Sequence, residues 1–189
     1  MNSRLGAGCA ICALLLAAPA LAEPVDTSGA TACKIAGWSA DPDPAGLNVR
    51  AAPSKDAPLV ATLPHEADYA VEFDIIGSRD GWLLIRNAHA PSYGDAPDKK
   101  LFAGPGWVYA DKVRFLINDP ALRSLPQADA PIVLPLMSPD HSEGPDSTTI
   151  DHVYGCSGAF ADVEAHMSKG PHKRGWATHI CSNQVTTCV

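Results

Sequence analysis

VEFDIIGSRDGWLLIR, residues 71–86, is the stretch whose reading decides the fold. Val71, Phe73 and Ile75 alternate with Glu72 and Asp74, so an extended backbone turns one face to a core and the other to water. The glycines and polar residues of 77–81 make a tight turn, and residues 82–86 read as a second strand. Upstream, the turn cluster 41–46 leads to Leu47 and Val49 alternating with Asn48 and Arg50, a short half-buried strand. Residues 51–68 carry Pro53, Pro58 and Pro64, too many for a central strand or a helix. They read as a long structured loop with an extended piece at 59–63. Downstream, residues 87–105 form a polar excursion that ends at the strand 106–109. A single helical turn at 110–112 then precedes residues 113–116. Short strands at close spacing, with no long helix, predict an all-β fold built on a small barrel that ends near Ile117. The 17 prolines and 15 glycines of the 189 residues fit that reading.

At the amino end, Arg4 precedes an apolar run from Ala7 to Leu21, and Ala20 and Ala22 bracket Leu21 in an A-x-A pattern. This is the expected form of a signal peptide, cleaved after Ala22, which sends the chain to a periplasm or the exterior as a soluble product. The run is too short to span a bilayer and contains Pro19, so no membrane insertion is expected. Loss of Arg4 takes the net charge from −7 to −8, and an acidic chain repels phosphate backbones, so nucleic acid is excluded as an expected partner. Residues 23–32 are small and polar and read as a disordered leader, with the fold starting at Cys33. Residues 118–131, with Pro120, Pro126 and Pro131, read as a linker.

Cys9 and Cys12 leave with the signal. Cys33, Cys156, Cys181 and Cys188 remain, and in an oxidising compartment they are expected to form two disulfides. Three pairings are open to four cysteines. The preferred one joins Cys181 to Cys188 in a short loop and ties Cys33 to Cys156 across the chain.

The tail, residues 132–189, echoes features of the first barrel in order. Leu134 stands against Leu47 at an offset of 87, Val153 against Ile75 at 78, and Gly175-Trp176 against Gly106-Trp107 at 69. Two architectures stay open: a second, degenerate barrel, or an irregular extension pinned by disulfides.

The blocks DPAGLNVRAAPSKDAPLVATLP (43–64), DGWLLIR (80–86) and GWVYADKV (106–113), in that order, resemble the bacterial SH3-like (SH3b) domain. The resemblance covers about residues 33–116. It implies an SH3-like barrel at 33–117, followed by a disulfide-rich C-terminal unit that is a candidate second SH3-like barrel. It also implies a non-catalytic module that recognises cell-wall peptide or an extended protein segment. In such barrels a shallow groove takes extended peptides, with rings giving flat apolar contact and loop charges choosing the partner. The matching rings here are Trp82, Trp107 and Tyr109, with Tyr93 on the excursion, and the loop charges are Asp56, Glu66, Asp68 and Arg79. Trp82 and Trp107 have a second reading as caps of the barrel core. The 87–105 excursion is longer than usual for the family, which marks a place for a groove or lid peculiar to this chain.

Other chemistries were weighed on the same residues. His166, His172, His179 and Cys181 lie in one short stretch and include zinc-type ligands, but their spacing is no known ligand ladder and solvated histidines are the expectation, with no metal and no cofactor. A cysteine hydrolase acting on the cell wall would use Cys156 or Cys181 as nucleophile and His152, His166 or His179 as base; no catalytic signature surrounds them. Asp41, Asp43 and Asp56 lack the spacing of a calcium loop. The remaining alternative is a protein-interaction or inhibitory partner of an envelope enzyme. Ligand identity and oligomeric state are not written in the sequence.

Overall fold

The computed structural model describes residues 24–189 apart from 67, 169, 187 and 189, so the expected signal peptide lies outside the described residues. The fold is all-β. In chain order the strands are β1 (Thr31–Ser39), β2 (Leu47–Arg50), β3 (Leu59–Leu63), β4 (Glu72–Arg79), β5 (Trp82–Ala90), β6 (Lys99–Phe102), β7 (Gly106–Tyr109), β8 (Val113–Arg114), β9 (Leu116–Ile117), β10 (Ala121–Arg123), β11 (Ile132–Pro135), β12 (Thr148–Ser157), β13 (Phe160–Met167), β14 (Lys173–Ala177) and β15 (Ile180–Cys181). Single 3₁₀ turns at Ala110–Lys112 and Pro145–Ser147 are the helical elements among the described residues. None of these is long or apolar enough to cross a membrane.

The deciding stretch folds as the β4–β5 hairpin, with Ile75 opposite Ile85 and Arg79 opposite Trp82. Asp80 and Gly81 form its two-residue turn at φ +52° and +79°, the positive pair that a twisted hairpin requires. Val71, Phe73 and Ile75 are at most 1% exposed, as the alternation predicts. The hairpin sits inside an eight-stranded antiparallel sheet of order β3-β2-β7-β5-β4-β1-β8, with β6 added on β5. A second antiparallel sheet runs β11-β10-β14-β13-β12, and β15 pairs with β9.

Three boundaries differ from the sequence reading. The leader is not loose: Thr31 already belongs to β1, the Asp26 carbonyl accepts the Trp107 Nε1–H at 2.7 Å, and the Asp26 carboxylate meets Arg79 at 3.0 Å. Hydrogen bonds from Ser28 and Arg79 hold the Asp26 carboxyl down at about 2. The excursion extends β5 and returns as β6, so much of it is a hairpin. The stretch expected as a linker contains β10, in which Leu122 is fully buried, preceded by the buried Asp119.

The strand β10 also corrects the register of the internal repeat. NVRAAPSKDAPLVATL (48–63) aligns without gaps on ALRSLPQADAPIVLPL (121–136) at an offset of 73, not 87. The backbone agrees bond by bond. Ala51 N–H donates to Pro58 O and Ser124 N–H to Pro131 O, both at 2.9 Å; Ala57 donates to Ser54 and Ala130 to Gln127, both at 3.2 Å. Arg50 Nη1 reaches Ala57 O at 2.8 Å and Arg123 Nη1 reaches Ala130 O at 3.3 Å. Arg50 pairs with Trp107 across β2–β7, and Arg123 with Trp176 across β10–β14. The register shift between Ile75 and Gly77 in β4 recurs between Val153 and Gly155 in β12. Glycine is required at matching places: a Cβ on Gly106 would lie 2.3 Å from Val49 Cγ1, and one on Gly175 would lie 2.7 Å from Val133 Cγ2. The chain therefore carries two copies of one β unit, the second with a longer connection before its central hairpin and a shorter one after it.

The copies meet through equivalent residues. Ser78 of β4 and Cys156 of β12 occupy the same position of the repeat; Ser78 Oγ accepts the Cys156 N–H at 3.0 Å and donates to the Cys156 carbonyl at 2.9 Å. Beside this contact, the Cys33–Cys156 disulfide joins β1 to β12, and Lys34 N–H donates to Gly158 O at 2.7 Å. Cys181 pairs with Cys188, so the preferred pairing is the one present. Phe73, Ile75, Leu83 and Val108 share one buried apolar cluster with Leu122, Val153 and Val163, so the two sheets rest on a common core.

Candidate functional site

On the first copy an open groove of about 500 Å³ is lined by Asp41, Leu47, Asn48, Arg50, Lys55, Trp82, Tyr109 and Lys112. Its rings come from neighbouring strands. Trp82 opens β5 and Tyr109 closes β7, and the two are directly opposed in the ladder, with ring centroids 5.7 Å apart at 61°. Edge-on packing of this kind fixes each ring against the other and is worth about 0.5–1.5 kcal/mol. Tyr109 is 47% exposed, unusual for so large a ring in a paired strand, and it offers its face and hydroxyl to solvent. Three cations, Arg50, Lys55 and Lys112, line the groove against one carboxylate. Asp41 is engaged by Lys112 at 3.1 Å, and the Arg50 guanidinium is partly spent on the Ala57 carbonyl. The groove is thus aromatic at one wall and carries a net excess of two positive charges, on a chain whose overall charge is −7.

The structure brings together two of the four predicted rings. Trp107 is fully buried beneath the leader, with Arg79 over its face at 5.4 Å, so it is a core residue and touches no ligand from outside. Tyr93 lies elsewhere, edge-on to Tyr69 at 4.8 Å. Of the predicted loop charges none lines the groove: Arg79 holds Asp26, Glu66 and Asp68 border a separate depression of about 250 Å³, and Asp56 lies beside Lys55 without lining the groove itself. No residue of 87–105 lines it either, so the excursion does not cover it. Sequence reasoning missed Arg50, Lys55, Lys112 and Asp41. The signal available was their position on or beside the strands that carry the rings.

No family model matches this chain, and no curated protein or solved structure matches it significantly. The second copy supplies the internal comparison instead. There Trp82 is replaced by Phe160, Tyr109 by Thr178 and Lys55 by Ala128, while Arg50 is kept as Arg123. Thr178 donates its hydroxyl to the Ala159 carbonyl at 3.2 Å, and its N–H goes to buried Asp119 at 3.1 Å.

Tyr93 belongs to a polar node that docks the C-terminal loop. Its hydroxyl donates to the buried Glu72 carboxylate and accepts the Gln184 N–H at 2.8 Å. Ser182 Oγ donates to Glu72 at 3.0 Å, and the Gln184 side chain exchanges two 2.9 Å hydrogen bonds with the Ala70 backbone. Burial, and then the bond to Glu72, pushes the Tyr93 phenol up to about 12.

The other weighed chemistries sort as follows. Cys156 and Cys181 are both disulfide partners, so in this oxidised state neither sulfur is a nucleophile. Of the histidine set, Cys181 is bonded to Cys188 and His179 stands apart, while His166 and His172 converge on Asp151. His166 is therefore not the solvated residue expected: its side chain is 18% exposed and bonded to Asp151 at 3.0 Å. Asp43 accepts the Ala45 N–H at 2.9 Å in a turn and forms no cation cluster with Asp41 and Asp56 among the described residues.

Proposed function

We propose that the chain is an exported binding module whose first, SH3-like copy recognises an extended peptide bearing carboxylates, of the kind found in cell-wall peptides, through the Trp82–Tyr109 groove. The observation that carries this reading is the pairing of a mutually braced ring couple, exposed Tyr109 and half-buried Trp82, with three cations in one open groove. The rings would stack on a peptide backbone or apolar side chain, and Lys55 and Lys112 would select acidic groups on it. Export is supported by two disulfides, which persist in oxidising compartments, and by the apolar opening residues. The reading as an interaction or inhibitory partner of an envelope protein uses the same groove, with a protein segment in place of the wall peptide.

The test rebuilds the second copy's rings in the first. Wild-type protein titrated with acidic wall peptides, followed by tryptophan fluorescence or calorimetry, binds; the double variant Trp82→Phe, Tyr109→Thr binds tenfold or more weakly, with an unchanged far-ultraviolet spectrum. An unaltered affinity in the double variant, or no binding of any acidic peptide by wild type, would sink the proposal. Binding of an envelope protein segment but not wall peptide selects the partner reading.

A further inference from the structure

We propose that Asp151, His166 and His172 form a binding site for one divalent transition-metal ion on the outer strand pair of the second copy. His166 Nδ1 and His172 Nδ1 lie 3.0 and 2.7 Å from the same oxygen, Asp151 Oδ2, and the three donor atoms all lie within 4.8 Å of one another. Two imidazoles and a carboxylate are a donor set for zinc and its neighbours. With metal–ligand lengths of about 2.1 Å, tetrahedral ligands stand about 3.4 Å apart, so the two contacts to Asp151 have to open by about half an ångström, while the imidazole nitrogens, within 4.8 Å of each other, settle to the same spacing. With three donors of a tetrahedral set supplied by the chain, one position would remain for water or an outside ligand.

The backbone is arranged to produce this convergence. Ile150 pairs with Ala165 and His152 with Glu164, which leaves Asp151 as the extra residue of a β-bulge. A bulge re-aims the side chain it carries, and bulges concentrate next to functional sites. His166 comes from β13, opposite Thr149, and His172 from the connection just before β14, so three separate segments deliver the donors. The rings lie against each other with centroids 4.0 Å apart. At that spacing one cation held between the rings would meet both imidazoles and the carboxylate together. His172 is 56% exposed and gives an ion a direct way in.

The test is titration of the full, oxidised chain with Zn²⁺ against a chromophoric chelator, with Co²⁺ visible absorption as a second readout. One ion per chain is expected, and His172→Ala, His166→Ala and Asp151→Asn each lower the affinity tenfold or more. His172→Ala is the decisive variant, because its ring is exposed and its loss leaves the thermal midpoint in chelator unchanged. His152→Ala, the neighbouring histidine paired with Asp111, binds as wild type. Absence of zinc uptake by wild type, uptake undiminished in His172→Ala, or an equal loss in His152→Ala would each overturn the site.

Discussion

The two copies of the β unit keep different things. Both retain the arginine that reaches back to its own loop (Arg50, Arg123), the two loop prolines (Pro53 and Pro58, Pro126 and Pro131) and the Gly-Trp pair that opens the late strand. These residues close backbone hydrogen bonds or permit close strand approach. What the second copy lacks is the groove's ring pair and lysine: Phe160, Thr178 and Ala128 stand where Trp82, Tyr109 and Lys55 stand in the first. In exchange it carries the bulged Asp151 with its two histidines, where the first copy has buried Phe73. Residues that specify the unit are separable from residues that give each copy its surface. Even Asp56, expected to select a ligand, recurs as Asp129 in the copy without that ring pair.

The weld between the copies gives the largest expected effect. The Cys33–Cys156 bridge closes a sequence separation of 123, and the chain-entropy model assigns such a loop about 5 kcal/mol. Cys181–Cys188 closes 7, worth about 2.4 kcal/mol. Paired Cys→Ser variants measured by urea unfolding should therefore differ by about 2–3 kcal/mol, with the long bridge the costlier to lose. Equal losses would mean that the copies hold together without the bridge. Ser78→Ala comes next. It strands the Cys156 N–H and carbonyl at the junction of equivalent residues, and a loss of about 1–3 kcal/mol is expected in the same assay. A neutral result would show that the junction is loose enough to admit water.

The smallest effect concerns the C-terminal loop. The Tyr93 phenol is raised from 10.0 to about 12, so the folded chain holds this proton more tightly than the unfolded one. Its contribution is complete below pH 10 and declines as the pH rises towards 12, because the unfolded phenol ionises first. Tyr93→Phe should cost about 1 kcal/mol at neutral pH and should remove that part of the alkaline destabilisation. A denaturant midpoint whose fall between pH 10 and 12 is identical in both proteins would refute the assignment.

The β4–β5 hairpin was legible because its apolar period is two and its turn is Asp-Gly, two signals that agree. The cysteine pairing was only partly legible: the sequence leaves three pairings open, and the preferred one is the one the structure contains. β10 was not, since three residues between prolines carry no period; yet ALRSLPQADAPIV set beside NVRAAPSKDAPLV exposes the repeat once the prolines are read as loop positions and not as a linker. Trp107 was misplaced because its cover comes from Asp26, 81 residues away in sequence. Tyr109 was found because aromatic residues at a strand end are visible in one dimension, whereas the cations around it depend on which loop folds over which strand. The Asp151 cluster depended on a bulge, and a bulge leaves no mark in composition.

Cys33, Cys156, Cys181 and Cys188 pair first with second and third with fourth. A chain delivered amino end first into an oxidising space offers Cys33 a single mate, Cys156, before either later thiol has emerged. The last two then close on each other. On the proposed export, stepwise capture in order of arrival would yield these bridges without reshuffling.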